Sequence, residues 1–180
     1  MFYRFLNKWL EEKPLKTLPR SIKLTLIDNT SLTKRLKTIP NNKFRVKKIH
    51  QKYSNVIEVK GPLKKFIRKN FFVYRRVELI SNKCDLIHAE SYLPVKYLTG
   101  KERFINLLGQ RSLGTYILKT TRFKKLYIKY FPEKEYICRS ILYGHKMKVI
   151  LVNEYFLKTI HMNHCNLLKC RSKFREGIYN

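Results

Sequence analysis

Apolar side chains in the N-terminal part of the chain recur at the spacing of a helix. Three helices are predicted there, over residues 2–10, 20–27 and 32–39. Proline cannot continue a helix, and Pro14 and Pro40 follow the first and the third of these segments. Residues 28–31 are Asp, Asn, Thr and Ser, which commonly begin helices, so they separate the second helix from the third.

The spacing changes after residue 43, where β-branched and aromatic residues lie in short runs among polar ones. Strands are predicted over residues 44–49, 56–59, 71–80, 86–93, 126–131, 136–143 and 147–157. Residues 81–85 are predicted to form the turn of an antiparallel hairpin. Gly144-His145 is predicted to form a tight turn between the last two strands.

One helical segment interrupts the strands, over residues 99–108, with Phe104, Leu107 and Leu108 on one side. Gly109 ends it, and a loop around Gly114 follows. The order of helices, strands, one helix and further strands favours an α+β fold. We expect a single antiparallel sheet of about six strands covered by helices.

Length and composition favour one globular domain. The chain has 180 residues, of which 44% are hydrophobic, which is enough for one sizeable core but short for two domains. We expect a monomeric domain over 1–160, in which 1–19 are an N-terminal helix and a linker. A basic, flexible tail is expected over 161–180.

The charge is strongly positive, with 40 Lys and Arg against 12 Asp and Glu and a formal net charge of +28. Such a field attracts polyanions, so a nucleic-acid partner is one hypothesis. The basic residues are spread along the chain instead of forming one arm, which favours a small anionic ligand. The richness in Lys, Asn, Ile, Tyr and Phe is typical of AT-biased coding, as in a plastid, so we expect the plastid stroma or a bacterial cytoplasm.

Cysteine usage and hydropathy indicate a protein of a reducing compartment. The first ten residues contain polar positions that argue against a secretory signal, and no apolar run is long enough to span a bilayer. The four cysteines are therefore expected to be mostly free thiols. A zinc site at His161, His164, Cys165 and Cys170 is an alternative, but its spacing is not that of familiar structural zinc sites.

Arg75 lies in a predicted strand where alternation places it on the same face as Val77 and Leu79. If those two side chains face the core, Arg75 does too, and a buried guanidinium needs an anionic partner such as a carboxylate. The alternatives are a salt bridge within the sheet, or a register in which Arg75 and Arg76 are both exposed.

Glu154 lies in an almost wholly apolar strand and shares a face with Ile150, Val152 and Phe156. Burial there would favour the protonated form, so this group could hold or transfer a proton. The alternatives are that Glu154 reaches solvent at a sheet edge, or that it pairs with an arginine.

Two further segments are compatible with ligand binding, although each has an ordinary structural explanation. Residues 31–36 begin a helix with Ser and Thr, and such a turn can bind a carboxylate through hydroxyls and backbone N–H groups. Residues 109–114 contain two glycines that would permit a close backbone approach to a ligand.

These segments, in this order, resemble the bacterial chorismate–pyruvate lyases. Residues 31–36 resemble that family's Ser-Met-Thr-Lys-Arg turn, and residues 75–94 resemble its Arg-containing strand, turn and returning strand. Residues 107–116 are similar to its Leu-Gly…Pro-Leu-Gly-x-Tyr loop, and 151–157 to its final Thr-Glu-Leu-Phe-Leu strand. The resemblance covers residues 20 to 157, and the composition is similar to that of uncharacterised plastid-encoded algal relatives.

The resemblance implies cleavage of chorismate to 4-hydroxybenzoate and pyruvate in a closed pocket, without a metal or an organic cofactor. It implies that Arg75 holds the ring carboxylate and Glu154 meets the ring hydroxyl at the opposite end. Leu32 and Leu113 would line the pocket and offer backbone contacts. Leu32 replaces the family's Met, and Arg76 stands where the bacterial strand has Glu, so a one-residue slip would exchange Arg75 and Arg76.

Two alternatives to an active lyase remain open at this point. One is a non-catalytic binding protein for a small aromatic carboxylate on the same fold. The other is a charge-driven nucleic-acid-binding protein, whose affinity would fall steeply with salt.

Overall fold

The computed structural model describes residues 15–18, 20–28, 30–55, 59–67, 71–82, 86–120 and 122–158. The predicted helix over 2–10, the tail over 161–180 and most of the predicted strand over 56–59 lie outside these residues. So do the zinc alternative and every cysteine except Cys138, which is a buried free thiol as expected.

Six strands form one antiparallel sheet in the order β1-β2-β3-β6-β5-β4. The strands are β1 (Arg45–Ser54), β2 (Phe72–Ile80), β3 (Ile87–Pro94), β4 (Lys124–Glu133), β5 (Tyr136–His145) and β6 (Lys148–Leu157). The predicted α+β fold with one antiparallel sheet is thereby confirmed.

Helices cover the sheet. They are α1 (Arg20–Ile27), α2 (Leu32–Thr38) and α3 (Leu113–Thr120), with 3₁₀ helices over Lys64–Phe66, Val95–Tyr97 and Gly100–Leu107. One face of the sheet packs against α1, α2, α3 and the longest 3₁₀ helix, and the other packs in part against Leu63 and Ile67. In the described ranges, no helix is long and apolar enough to cross a membrane.

The helix predicted over residues 99–108 is confirmed, but two details between β3 and β4 were wrong, namely which of its side chains are buried and the loop around Gly114. Residues 100–107 form a 3₁₀ helix, whose three-residue turn buries Ile105 and leaves Phe104 and Leu107 58% and 75% exposed. The loop expected around Gly114 is instead the first turn of α3, where the Ser112 hydroxyl accepts a hydrogen bond from the Thr115 N–H at 3.4 Å.

The turn between β5 and β6 lies two residues later than predicted. Gly144 and His145 are still paired in the sheet, and the chain turns at Lys146, whose φ of 53° is left-handed. Gly144 is needed for a different reason, because a Cβ atom there would collide with the Leu126 side chain of β4. Leu126 sits at a register shift between Lys125 and Tyr127, so Gly144 makes room for an irregularity in β4.

Gly144→Ala should therefore lower the free energy of unfolding, by about 1–3 kcal/mol, because Leu126 must move. Urea denaturation measures the change. Gly114→Ala is the matched control, since a Cβ atom there lies 3.9 Å from its nearest neighbour. Equal stability of the two variants would contradict the assignment of this close contact.

Candidate active site

Alternate residues of β2, β3, β6 and β5 form two adjacent rows on the helix-covered face of the sheet. The first row runs Val77, Ala89, Glu154 and Arg139, and the second runs Arg75, Ser91, Val152 and Ile141. Neighbouring strands lie about 4.8 Å apart, and β3 separates Arg75 from the strand of Glu154. The two residues thus approach the same region from different strands.

A cavity lies between these rows and the starts of α2 and α3. Leu32, Arg75, Leu113 and Glu154, which were the four predicted site residues, all line it. The structure therefore brings the four together, while their roles in ligand binding stay predictions. Arg76 is not among the lining residues, so the register with Arg75 on the cavity face is the one observed.

Arg75 is buried, with 1% of its surface exposed. Its Nη2 donates hydrogen bonds to the carbonyl oxygens of Gly109, at 3.0 Å, and Arg111, at 2.7 Å, while its Nε has no acceptor. Burial lowers the pKa of Arg75 to about 10. Within the described ranges no carboxylate pairs with Arg75. The cavity therefore contains a buried cation whose charge is not paired with a carboxylate of these residues.

Glu154 pairs with Arg139, which is also only 1% exposed. Nε of Arg139 donates to Oε2 of Glu154 at 2.8 Å, and Nη2 lies 2.6 Å from the same oxygen. The alternative in which Glu154 pairs with an arginine is thus the one observed. In this pair the side chain of Glu154 is the hydrogen-bond acceptor.

Arg139 also ties the sheet to the end of α1. Its Nη1 donates to the carbonyl oxygens of Leu26, at 3.0 Å, and Asp28, at 2.9 Å. These carbonyls lie at the C-terminal end of α1. The last carbonyl groups of a helix have no hydrogen-bond donor within the helix itself. One side chain therefore fixes both the carboxylate of Glu154 and the segment that leads into α2.

The two covers of the cavity are joined directly. The hydroxyl groups of Thr33, in α2, and Ser112, before α3, are hydrogen-bonded at 2.7 Å. The cavity volume is about 40 Å³, which holds a few water molecules but no aromatic acid. A ligand of that size therefore requires the cavity to widen.

Two charged residues of the cavity, Arg139 and Lys125, were missed in the sequence. Arg139 alternates with Ile137 and Ile141, so the argument applied to Arg75 would have found it. Lys125 carries no such signal, because its direction depends on the register shift in β4. In the part of the chain that the structure describes, no group of His, Cys, Asp and Glu could hold a metal ion.

Comparison with known proteins assigns the sequence to a protein family. The family model for chorismate lyase matches residues 6–165. The chain therefore belongs to the chorismate lyase family.

A curated relative is a probable chorismate pyruvate-lyase of Methylococcus capsulatus, which is 32% identical over 97 residues. The aligned region covers 54% of this chain and 60% of that relative.

Arg139→Met should lower the free energy of unfolding by about 3 kcal/mol, because it leaves the partly buried Glu154 carboxylate without its partner. The double variant Arg139→Met, Glu154→Leu should recover part of this loss, since no buried charge remains. Urea denaturation gives both values. Arg122→Met, at an exposed arginine, is the control and should change stability by less than about 0.5 kcal/mol. An unchanged midpoint for Arg139→Met would rule out this role of the pair.

Proposed function

We propose that the protein is a chorismate lyase, which converts chorismate to 4-hydroxybenzoate and pyruvate in the cavity between the sheet and α2 and α3. The observation that carries the proposal is Arg75, a buried guanidinium held by two carbonyl oxygens and unpaired with any carboxylate of the described residues. An aromatic or cyclohexadiene carboxylate is a suitable partner, because a guanidinium binds a carboxylate through two parallel hydrogen bonds. Family membership supports the choice of chorismate.

The reaction needs little chemistry from the protein. The ether bond between the ring and the enolpyruvyl group breaks, and the ring carbon that bears the hydroxyl loses its proton. The ring thereby becomes aromatic, and the released enolpyruvate takes up a proton to become pyruvate. Because aromatisation drives the step, fixing the substrate and one proton transfer supply much of the catalysis.

Each predicted residue has a part in this scheme. Arg75 holds the ring carboxylate, and Glu154, which Arg139 holds in place, accepts a hydrogen bond from the ring hydroxyl. Leu32 and Leu113 lie at the starts of the two covers and close over the ring, with backbone contacts to the ligand. Closure excludes water, which strengthens the interaction between Arg75 and the carboxylate.

Release of pyruvate from chorismate, followed through lactate dehydrogenase and NADH oxidation, tests the proposal. Arg75→Met should lower kcat/KM at least about 30-fold, because a buried carboxylate would lose its charged partner. Glu154→Gln should lower kcat through loss of the carboxylate. Arg76→Met, on the next residue of β2, is the control and should retain activity. Folded wild-type protein that releases no pyruvate above background would refute the function.

Thr33→Val should speed ligand release, because it removes the hydrogen bond between the covers while conserving side-chain volume. One hydrogen bond contributes about 1 kcal/mol, so the dissociation rate of 4-hydroxybenzoate should rise about fivefold. Stopped-flow displacement measures this rate. Thr38→Val, at an exposed threonine of the same helix, should leave it unchanged. A rate that Thr33→Val leaves the same or lowers would show that this contact does not restrain opening.

A further inference from the structure

Large apolar side chains are exposed mainly at one end of the sheet. The antiparallel pairing brings the ends of β1, β3 and β5 together there with the starts of β2, β4 and β6. Among the described residues, seven large apolar side chains are exposed, and five of them lie at this end, which we call the apolar end: Tyr53, Phe71, Phe104, Leu107 and Met147. The rings of Tyr53 and Phe71 stack, with centroids 6.1 Å apart. Apolar side chains exposed singly are ordinary, whereas a concentration of them at one place indicates a contact surface.

The period of the longest 3₁₀ helix, Gly100–Leu107, produces part of this surface. Residues three apart eclipse in such a helix, so Lys101, Phe104 and Leu107 lie on one side of it. Ile105 lies on another side and is completely buried in the core, whereas those three side chains are exposed. The outer side of the helix is therefore apolar, with a lysine one turn before its two apolar side chains.

Polar contacts at both ends hold this 3₁₀ helix across the end of the sheet. Nζ of Lys148, at the start of β6, donates to the Thr99 hydroxyl at 2.8 Å and to Oε2 of Glu102 at 3.1 Å. Near the last turn of the helix, Nδ2 of Asn106 donates to the hydroxyl of Tyr53, in β1, at 3.1 Å. The helix therefore spans the end of the sheet from β6 to β1, and its exposed side is held in a fixed position.

The charge around the apolar end is positive. In the part of the chain that the structure describes, Glu102 is the one acidic side chain at this end, and it is paired with Lys148. The exposed cations at this end are Lys52, Lys96, Lys101, Arg103, Lys124 and Lys146. Aromatic and aliphatic side chains among lysine and arginine match a membrane surface with anionic lipids. There, apolar groups enter the boundary of the acyl chains and cations remain among the headgroups.

We infer that the apolar end docks on the surface of an anionic lipid bilayer. Phe104 and Leu107 enter the boundary between headgroups and acyl chains, while Lys101 and Arg103 contact lipid phosphates. A nucleic acid would pair with the cations but would leave aliphatic side chains such as Leu107 and Met147 without an apolar partner. None of the five residues of the apolar end lines the cavity, so the inference does not rest on the proposed reaction.

Sedimentation with vesicles tests the docking. Vesicles of phosphatidylglycerol and phosphatidylcholine should bind the protein more tightly than vesicles of phosphatidylcholine alone. Leu107→Ser should weaken binding to the anionic vesicles about 5- to 20-fold, because the side chain loses its contact with the acyl chains. Leu86→Ser, at an exposed leucine on the opposite end of the sheet, is the matched control and should stay within about twofold.

The cations have a matched pair of variants as well. Arg103→Gln should weaken binding to the anionic vesicles about fivefold, because one cation near the headgroups is lost. Lys134→Gln removes an exposed cation in the turn between β4 and β5, at the opposite end of the sheet, and should stay within about twofold. Urea denaturation of each variant checks folding.

Fluorescence quenching shows which end of the sheet faces the lipid. The chain has one tryptophan, Trp9, so Phe104→Trp in a Trp9→Phe background places a single probe in the apolar end. Brominated phosphatidylcholine in the anionic vesicles should quench this probe more strongly than a Leu86→Trp probe in the same background.

Two results would overturn the inference. Equal losses for Leu107→Ser and Leu86→Ser, or equal quenching of the two probes, would show that net charge alone attracts the protein to lipid. Folded protein that binds no vesicle would overturn it too. If that protein instead forms dimers that Leu107→Ser dissociates, the apolar end is a contact between two copies of the chain and not a lipid-binding surface.

Discussion

The site depends on the cost of burying a guanidinium without a carboxylate. Arg75 is almost completely buried, and the two carbonyl oxygens that hold it compensate its charge only in part. These acceptors are Gly109 and Arg111, in the segment that leads into α3, so the same contacts that satisfy Arg75 also hold one cover closed.

Arg139 is the counterpart of Arg75 in the adjacent row, but its charge is compensated within the protein. It donates hydrogen bonds to Glu154 and to the carbonyl oxygens at the C-terminal end of α1. A salt bridge with so many fixed contacts is rigid, and it keeps the carboxylate of Glu154 in one orientation. The two buried arginines therefore differ in their partners: Arg139 pairs with Glu154 at the polar end of the cavity, whereas Arg75 pairs with no carboxylate of the described residues.

Much of the sheet could be predicted from the sequence, because strand alternation has a strict period of two where the strand is regular. That period predicts which side chains share a face with Arg75 and with Glu154, and the structure shows both residues lining the cavity. The same reasoning fails where the period changes. Lys125 lies next to a register shift in the pairing of β4 with β5, and Leu107 lies in a 3₁₀ helix with a period of three. Neither change is visible in local residue preferences, because tertiary packing determines it.

The net positive charge of the chain attracts anions over long distances, whereas side chains in the cavity act only on a ligand in direct contact. A net charge of +28 attracts any anion, and salt screens this attraction beyond about 10 Å. Because long-range attraction acts on every anion, it does not explain why the protein would prefer small acids over nucleic acid, or nucleic acid over small acids. Discrimination requires desolvated contacts at fixed positions, and the buried guanidinium of Arg75 occupies such a position in the cavity. Under the proposed function, the surface field would raise the rate at which an anion arrives, and the cavity would decide which anion is retained.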